Sequence, residues 1–170
     1  MTDPVKRRSH RSGGGGRSGG PRSAARLGAS QVLYQIELTG VSSRVAVAEY
    51  VQHYFGKEID GDEYLPADEK LFREIVAGTL EQKAELDPVI AKLLTPDWPL
   101  ERLEMILRAI LRAAAFELSA RIDTPARVVI TEYVDIAHAF FAGKEPGLIN
   151  GVLDRLARQA RPAEWSGEGS

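Results

Sequence analysis

At 170 residues the chain allows one domain of ordinary size, or two small halves sharing a core. It has no cysteine, which excludes disulfides and thiolate metal sites, and His10, His53 and His138 are too scattered for an imidazole site. The net charge of -2 conceals an asymmetry: residues 1–26 hold seven basic side chains against Asp3 alone, so the remainder carries -8. A basic arm on an acidic body points to a polyanionic partner met by one part of the molecule.

Residues 1–21 are low in complexity, with six glycines and no large apolar side chain besides Met1 and Val5. Such a segment buries too little surface to offset the entropy of ordering, so it is predicted to be a disordered extension. It reads either as a solubilising tail or as an arginine- and glycine-rich arm that gathers phosphate by counterion release. Gly13–Gly16 is no phosphate-binding loop, because neither a strand nor a helix flanks it. The segment also lacks the apolar core of a secretory signal, and no run is apolar enough to span a membrane, which suits a cytoplasmic protein.

The first helix is predicted over residues 22–39. Ala29, Val32, Leu33 and Ile36 share one apolar face, while Leu27, Gln31, Tyr34 and Leu38 line a second stripe. Tyr34 either packs with its hydroxyl satisfied or offers a platform to a base or a partner protein. Arg22 and Arg26, one turn apart, extend the basic arm onto ordered structure. Gly40 ends this helix, and Ser42 or Ser43 caps the next, whose buried face is Val47, Tyr50, Val51 and Tyr54. Gly56–Pro66 is an acidic, solvated connection without the ligand order of a calcium loop.

A third helix starts near Pro66, with Asp68 and Glu69 in its first turn and Leu71, Phe72, Ile75, Val76, Thr79 and Leu80 as its stripe. Gly78 permits a close helix crossing. Asp87-Pro88 opens a separate short helix to Leu94. From Pro99 to Ile122 the chain is apolar nearly all round, through Leu103, Leu107, Ile110, Leu111, Ala114 and Leu118. Such a helix belongs at the buried axis of a bundle, here with Asp97 capping its start. Thr124 caps the next helix, with Pro125 at its first position and Val129, Ile130, Tyr133, Val134, Ala137, Phe140 and Phe141 along its face. After the turn Gly143–Gly147, a last helix carries Leu148, Ile149, Val152, Leu153, Leu156, Ala157 and Ala160, leaving residues 162–170 as a flexible tail. The sum is an all-α compact bundle of about seven helices with no strand.

Enzyme readings fare poorly. Glu101, Glu104 and Glu117 lie one turn from arginines and read as surface pairs, not as an acid–base couple. Nothing in the sequence calls for a metal or cofactor.

Several motifs stand in fixed order: Ala25-Arg26…Gln31-Val32-Leu33-Tyr34, Phe72-Arg73…Ala77-Gly78, Leu111–Leu118, Thr124-Pro125…Glu132…Ala137 and Ile149-Asn150-Gly151-Val152-Leu153-Asp154. Over residues 22–161 this set resembles the NusB family of bacterial transcription antitermination factors. The resemblance implies two packed helical subdomains and no catalysis. It further implies binding of single-stranded boxA RNA in ribosomal RNA operon leaders together with NusE, a small-subunit ribosomal protein. Other Nus factors and RNA polymerase would be met through that complex. By position, Arg22, Arg26, Gln31, Lys144 and Asn150 correspond to RNA-facing residues and Tyr34 to a partner-facing one, although Asn150 could equally cap the last helix. The chain departs from the family in carrying Ser23-Ala24-Ala25 where an arginine cluster is common, and Leu148 where an aromatic can sit. The alternative is a related helical adaptor, or an RNA-binding domain like that at the front of some ribosomal RNA cytosine methyltransferases.

Overall fold

Apolar side chains recur at three- and four-residue spacing in every long segment, and each such segment is helical in the computed structural model. The structure describes residues 20–55 and 68–166, together with the backbone of two short strands between them. The predicted disordered extension lies outside the described residues apart from Gly20 and Pro21. In chain order the helices are α1 (Pro21–Thr39), α2 (Ser43–Tyr54), α3 (Glu69–Leu93), α4 (Met105–Ala120), α5 (Ala126–Phe140) and α6 (Glu145–Ala160). Two 3-10 turns, Leu100–Arg102 and Pro162–Trp165, precede α4 and follow α6. A two-residue antiparallel pair, Glu58–Ile59 with Asp62–Glu63, sits within the acidic connection.

The axial assignment holds for α4, which packs against α1, α3, α5 and α6 and so joins the α1–α3 layer to the α5–α6 pair. Leu107, Ile110, Leu111, Ala114 and Leu118 are buried along it. Each large side chain removed from water there contributes about 1.5–3 kcal/mol. Its start differs from the prediction. Pro99 opens a 3-10 turn, Leu103 takes extended backbone, and α4 begins only at Met105. Leu100 and Leu103 are nevertheless buried, so the stripe continues across the break. Gly78 also behaves as expected: a Cβ there would come within 2.2 Å of the Phe116 ring, so only glycine lets α3 and α4 approach this closely.

Three other expectations need correcting. The two helices predicted over residues 66–94 are one, α3, which runs through Pro88. An internal proline costs a helix about 3 kcal/mol. Here Leu86 and Ile90 are buried on either side of it, and Asp87 takes two bonds from Arg112 at 2.7 and 3.0 Å, which hold the turn. Thr124 does not cap α5, being buried with its hydroxyl unbonded. Glu164 does so instead, accepting the Ala126 N–H at 2.8 Å.

Residues 162–166 are therefore not a flexible tail. Arg161 donates to the carbonyls of Glu117 and Leu118, each at 2.9 Å, and to those of Arg121 and Thr124. The bonds to Glu117 and Leu118 engage the buried carbonyl end of α4, those to Arg121 and Thr124 the connection after it, and together they fasten the end of α6 there. Trp165 is then buried between Arg127 and Arg158, whose guanidinium carbons lie 5.9 and 5.2 Å from its ring. Residues 167–170 lie outside the described residues.

Candidate nucleic-acid interface

The sequence places Arg22, Arg26, Gln31 and Tyr34 on one helix, and α1 divides them by depth. Arg26 is 1% exposed. Its Nε and Nη2 donate to the two carboxylate oxygens of Glu117, at 2.9 and 3.0 Å, and the Tyr133 hydroxyl donates to the same carboxylate at 2.5 Å. Burial opposes the Arg26 charge, but the hydrogen bond and charge of Glu117 hold its pKa above the ordinary guanidinium value. Burial, and then the Glu117 charge and hydrogen bond, push the Tyr133 phenol well above its usual range. The expectation that Arg26 faces RNA is thus corrected: reaching a phosphate would strand a buried carboxylate. Glu117 is likewise no surface residue, being fully buried as the acceptor of this cluster.

Arg22 lies one turn earlier and is half exposed, 3.6 Å from Asp123. Asp123 already accepts from Arg121 at 3.1 and 3.4 Å, and those bonds hold its carboxyl below the usual carboxylate range. Arg22 is therefore only a secondary partner and stays available.

Further along, α1 borders a groove of about 690 Å³. Gln31, Tyr34 and Gln35 line one wall, Tyr50 and Tyr54 of α2 the second, Glu104, Met105 and Ile106 the entry to α4, and Phe140 the end of α5. The aromatic wall is layered. Tyr50 stacks on Tyr54 at 4.5 Å and on Phe72 at 5.1 Å between ring centres. The predicted buried face of α2 is corrected here: Val47, Tyr50 and Val51 are only half buried, Tyr54 is 62% exposed, and Ala46 is the one fully buried side chain of that helix. Gln31 accepts the Tyr50 hydroxyl at 3.1 Å. Burial, and then Tyr54, raise the Tyr50 pKa to about 12.

Such a groove offers flat rings for stacking and amides for base edges, the two elements with which proteins hold unpaired bases. It brings together Gln31 and Tyr34 among the predicted residues. Lys144 stands exposed at the turn before α6, and Asn150 is exposed on α6 beside Arg127, Thr131 and Arg158, a separate surface. Asn150 does not cap α6, which starts at Glu145. Sequence reasoning missed Gln35, Tyr50, Tyr54, Glu104 and Phe140 as lining residues, reading Tyr50, Tyr54 and Phe140 as parts of buried helix faces. The spacing of Tyr50 and Tyr54 is a usable signal, since an i, i+4 aromatic pair suits an open wall as well as a core. Nothing local marks Glu104. Among the described residues there is no group of acidic or histidine side chains able to hold a metal, and no helix long and apolar enough to cross a membrane.

Comparison with known proteins bears on this geometry. The sequence profile of the NusB family matches residues 23–158. Transcription antitermination protein NusB of Nitrobacter hamburgensis is 50% identical over 145 residues, covering 85% of this chain and 91% of that protein. The protein of the same name from Brucella suis is 54% identical over 141 residues, covering 83% and 82%. Among solved structures, T. maritima NusB superposes with a TM-score of 0.69 at 26% identity, covering 85% of this chain and 96% of that one. A chain from a crystal structure of antitermination factors NusB and NusE in complex with dsRNA gives 0.65 at 25% identity, covering 81% and 96%.

Proposed function

The chain belongs to the NusB family of transcription antitermination proteins, a family without catalysis, and on that premise we propose that it binds boxA RNA of ribosomal RNA operon leaders jointly with NusE. The groove between α1, α2, α4 and α5 is the observation that carries this reading. Its Tyr34 and Tyr54 rings and two glutamine amides suit unstacked bases, while Glu104 is the one charged side chain among the described residues that line it. Phosphate contacts must come from outside it. Lys6, Arg7, Arg8, Arg11 and Arg17 precede α1 in the sequence, and the start of α1 is about 15 Å of helical rise from Gln31. They supply charge without reading sequence, so the groove supplies selectivity and the arm supplies affinity. Arg22 extends that charge onto the body, and Lys144 and Asn150 add contacts from the α6 side.

The body's charge of -8 for residues 27–170 suits a basic ribosomal partner and discourages indiscriminate RNA adsorption. Tyr34 lines the groove half buried, which supports a role toward a base or the partner. Further Nus factors and RNA polymerase are engaged through the assembled complex, in the cytoplasm. The supporting parallel is the similar chain solved with NusE and dsRNA.

The test is a salt-titrated binding assay of the full chain and of a chain lacking residues 1–18, on boxA and scrambled RNA, with and without NusE. The full chain with NusE is expected to prefer boxA. The shortened chain should keep that preference, with a log–log salt slope reduced by about 0.7 for each phosphate it no longer neutralises. Indifference to both RNA and NusE at low ionic strength would overturn the assignment.

A further inference from the structure

A glutamine side chain has an acceptor end and a donor end that differ little in shape. Free to rotate, it pairs with either kind of base edge and discriminates poorly. Gln31 is not free in this way. Its carbonyl oxygen accepts the Tyr50 hydroxyl at 3.1 Å, and Tyr50 is itself held on three sides. Its ring stacks on Phe72 and Tyr54, and its edge lies against Gly28, where a Cβ would come within 2.7 Å. The hydroxyl therefore cannot swing to follow a rotated amide. Were the amide to turn over, its amino group would meet a phenol oxygen, a poor acceptor, and the phenolic proton would lose its partner at a half-buried site.

We propose that Tyr50 is a positioning residue that fixes the sense in which Gln31 reads RNA, by occupying its carbonyl oxygen and leaving its amino group to the groove. Gln31 then selects a base that turns a carbonyl or ring-nitrogen acceptor toward it and rejects one that turns an amino group. The inference rests on the RNA-binding reading above. The phenol pKa near 12 keeps Tyr50 a proton donor across the whole range in which the complex would be studied.

Base exchanges that swap donor and acceptor while keeping ring size isolate this effect: uridine for cytidine, adenosine for inosine, guanosine for diaminopurine. Each is made in turn through a boxA oligonucleotide, and affinity is measured with the full chain and NusE. The native chain should show one position where such an exchange costs about fivefold, the worth of one hydrogen bond. Tyr50→Phe keeps the ring and its stacks, and should bring that ratio close to one. Gln31→Glu keeps an acceptor for Tyr50 but turns a second acceptor to the groove, and should invert the ratio.

If Tyr50→Phe weakens all RNAs equally and leaves the ratio intact, Tyr50 is merely structural and the proposal falls while RNA binding stands. A native ratio of one at every position overturns it as well. Failure of the native chain to bind any RNA removes the functional reading, and this inference with it.

Discussion

Two regions of α1 use polar side chains in opposite ways. Around Arg26 the polar groups are buried and mutually satisfied: Arg26 and Tyr133 both spend their protons on Glu117. Further along the helix Gln31 gives only its carbonyl oxygen to Tyr50 and lines an open groove with its amide. Charge is the natural guide to an RNA-binding residue, yet here the charged Arg26 is structural and the neutral Gln31 is left with unused capacity. What separates them is the neighbour on α4. Glu117 projects into the core, where a carboxylate requires a cation, while Glu104, at the entry to α4, stays exposed.

The contrast breaks most sharply at Glu117. Glu117→Ala leaves the Arg26 guanidinium buried without its counterion and the Tyr133 hydroxyl without its acceptor, and should cost about 3–5 kcal/mol. Urea unfolding measures it. A loss under about 1 kcal/mol would show that this cluster does not secure α1. Tyr133→Phe is the milder version, expected to cost about 1.5–3 kcal/mol through one missing bond to a charged acceptor.

Tyr133 also makes a pH signature. Its folded pKa is raised well above the ordinary 10.0. Above that pH an unfolded chain releases the phenolic proton while the folded chain retains it, so the unfolded state gains. The stabilisation is complete below about pH 10 and is lost as pH rises toward the folded value, by about 1.4 kcal/mol per pH unit. Tyr50, raised to about 12, contributes a slope of the same sign over its own narrower window. Tyr133→Phe should therefore flatten, without abolishing, the alkaline fall in stability. An unaltered fall would mean that Tyr133 ionises normally.

These residues also mark how far the sequence could be read. Helical periodicity located every long element, because core packing and helical spacing enforce the same pattern, and Ser42 and Gly40 cap and end helices as their chemistry suggests, while Asp68, read as a first-turn residue, is the N-cap of α3. Three of the misreadings share a cause: a distant residue overrules a local preference. Arg112 and the buried neighbours keep α3 helical through Pro88; Glu164 replaces Thr124 as the cap of α5; Glu117 draws Arg26 inward. Each of these partners is remote in the chain, at separations of 25, 38 and 91 residues, so no window of local sequence contains it. The groove was half legible. Gln31 and Tyr34 stood out as polar tips on an apolar helix, but the opposite wall comes from α2, α4 and α5 and has no local signature.

Tyr34→Ala tests the open region as Glu117→Ala tests the closed one. Loss of one stacked base should weaken boxA binding by about 1–3 kcal/mol, roughly five- to 150-fold, at constant salt slope. Because Tyr34 is only half buried, the urea midpoint should shift far less than in Glu117→Ala. If Tyr34→Ala lowers stability as much as affinity, the side chain is a core residue. If it lowers affinity for NusE alone, its role is protein docking.

Arg22 gives the smallest and most specific effect. Its partner Asp123 is already satisfied by Arg121, and the 3.6 Å pair is exposed on both sides. Removing it should leave stability within about 0.5 kcal/mol of the native chain. An RNA phosphate contact through the same side chain would still register, as a fall of about 0.7 in the slope of log affinity against log salt. Arg22→Ala must be made alone, because adding Arg26→Ala would strand Glu117 and turn a loss of fold into an apparent loss of binding. An unchanged slope in the single variant would remove Arg22 from the interface and leave the arm before α1 as the source of phosphate contacts.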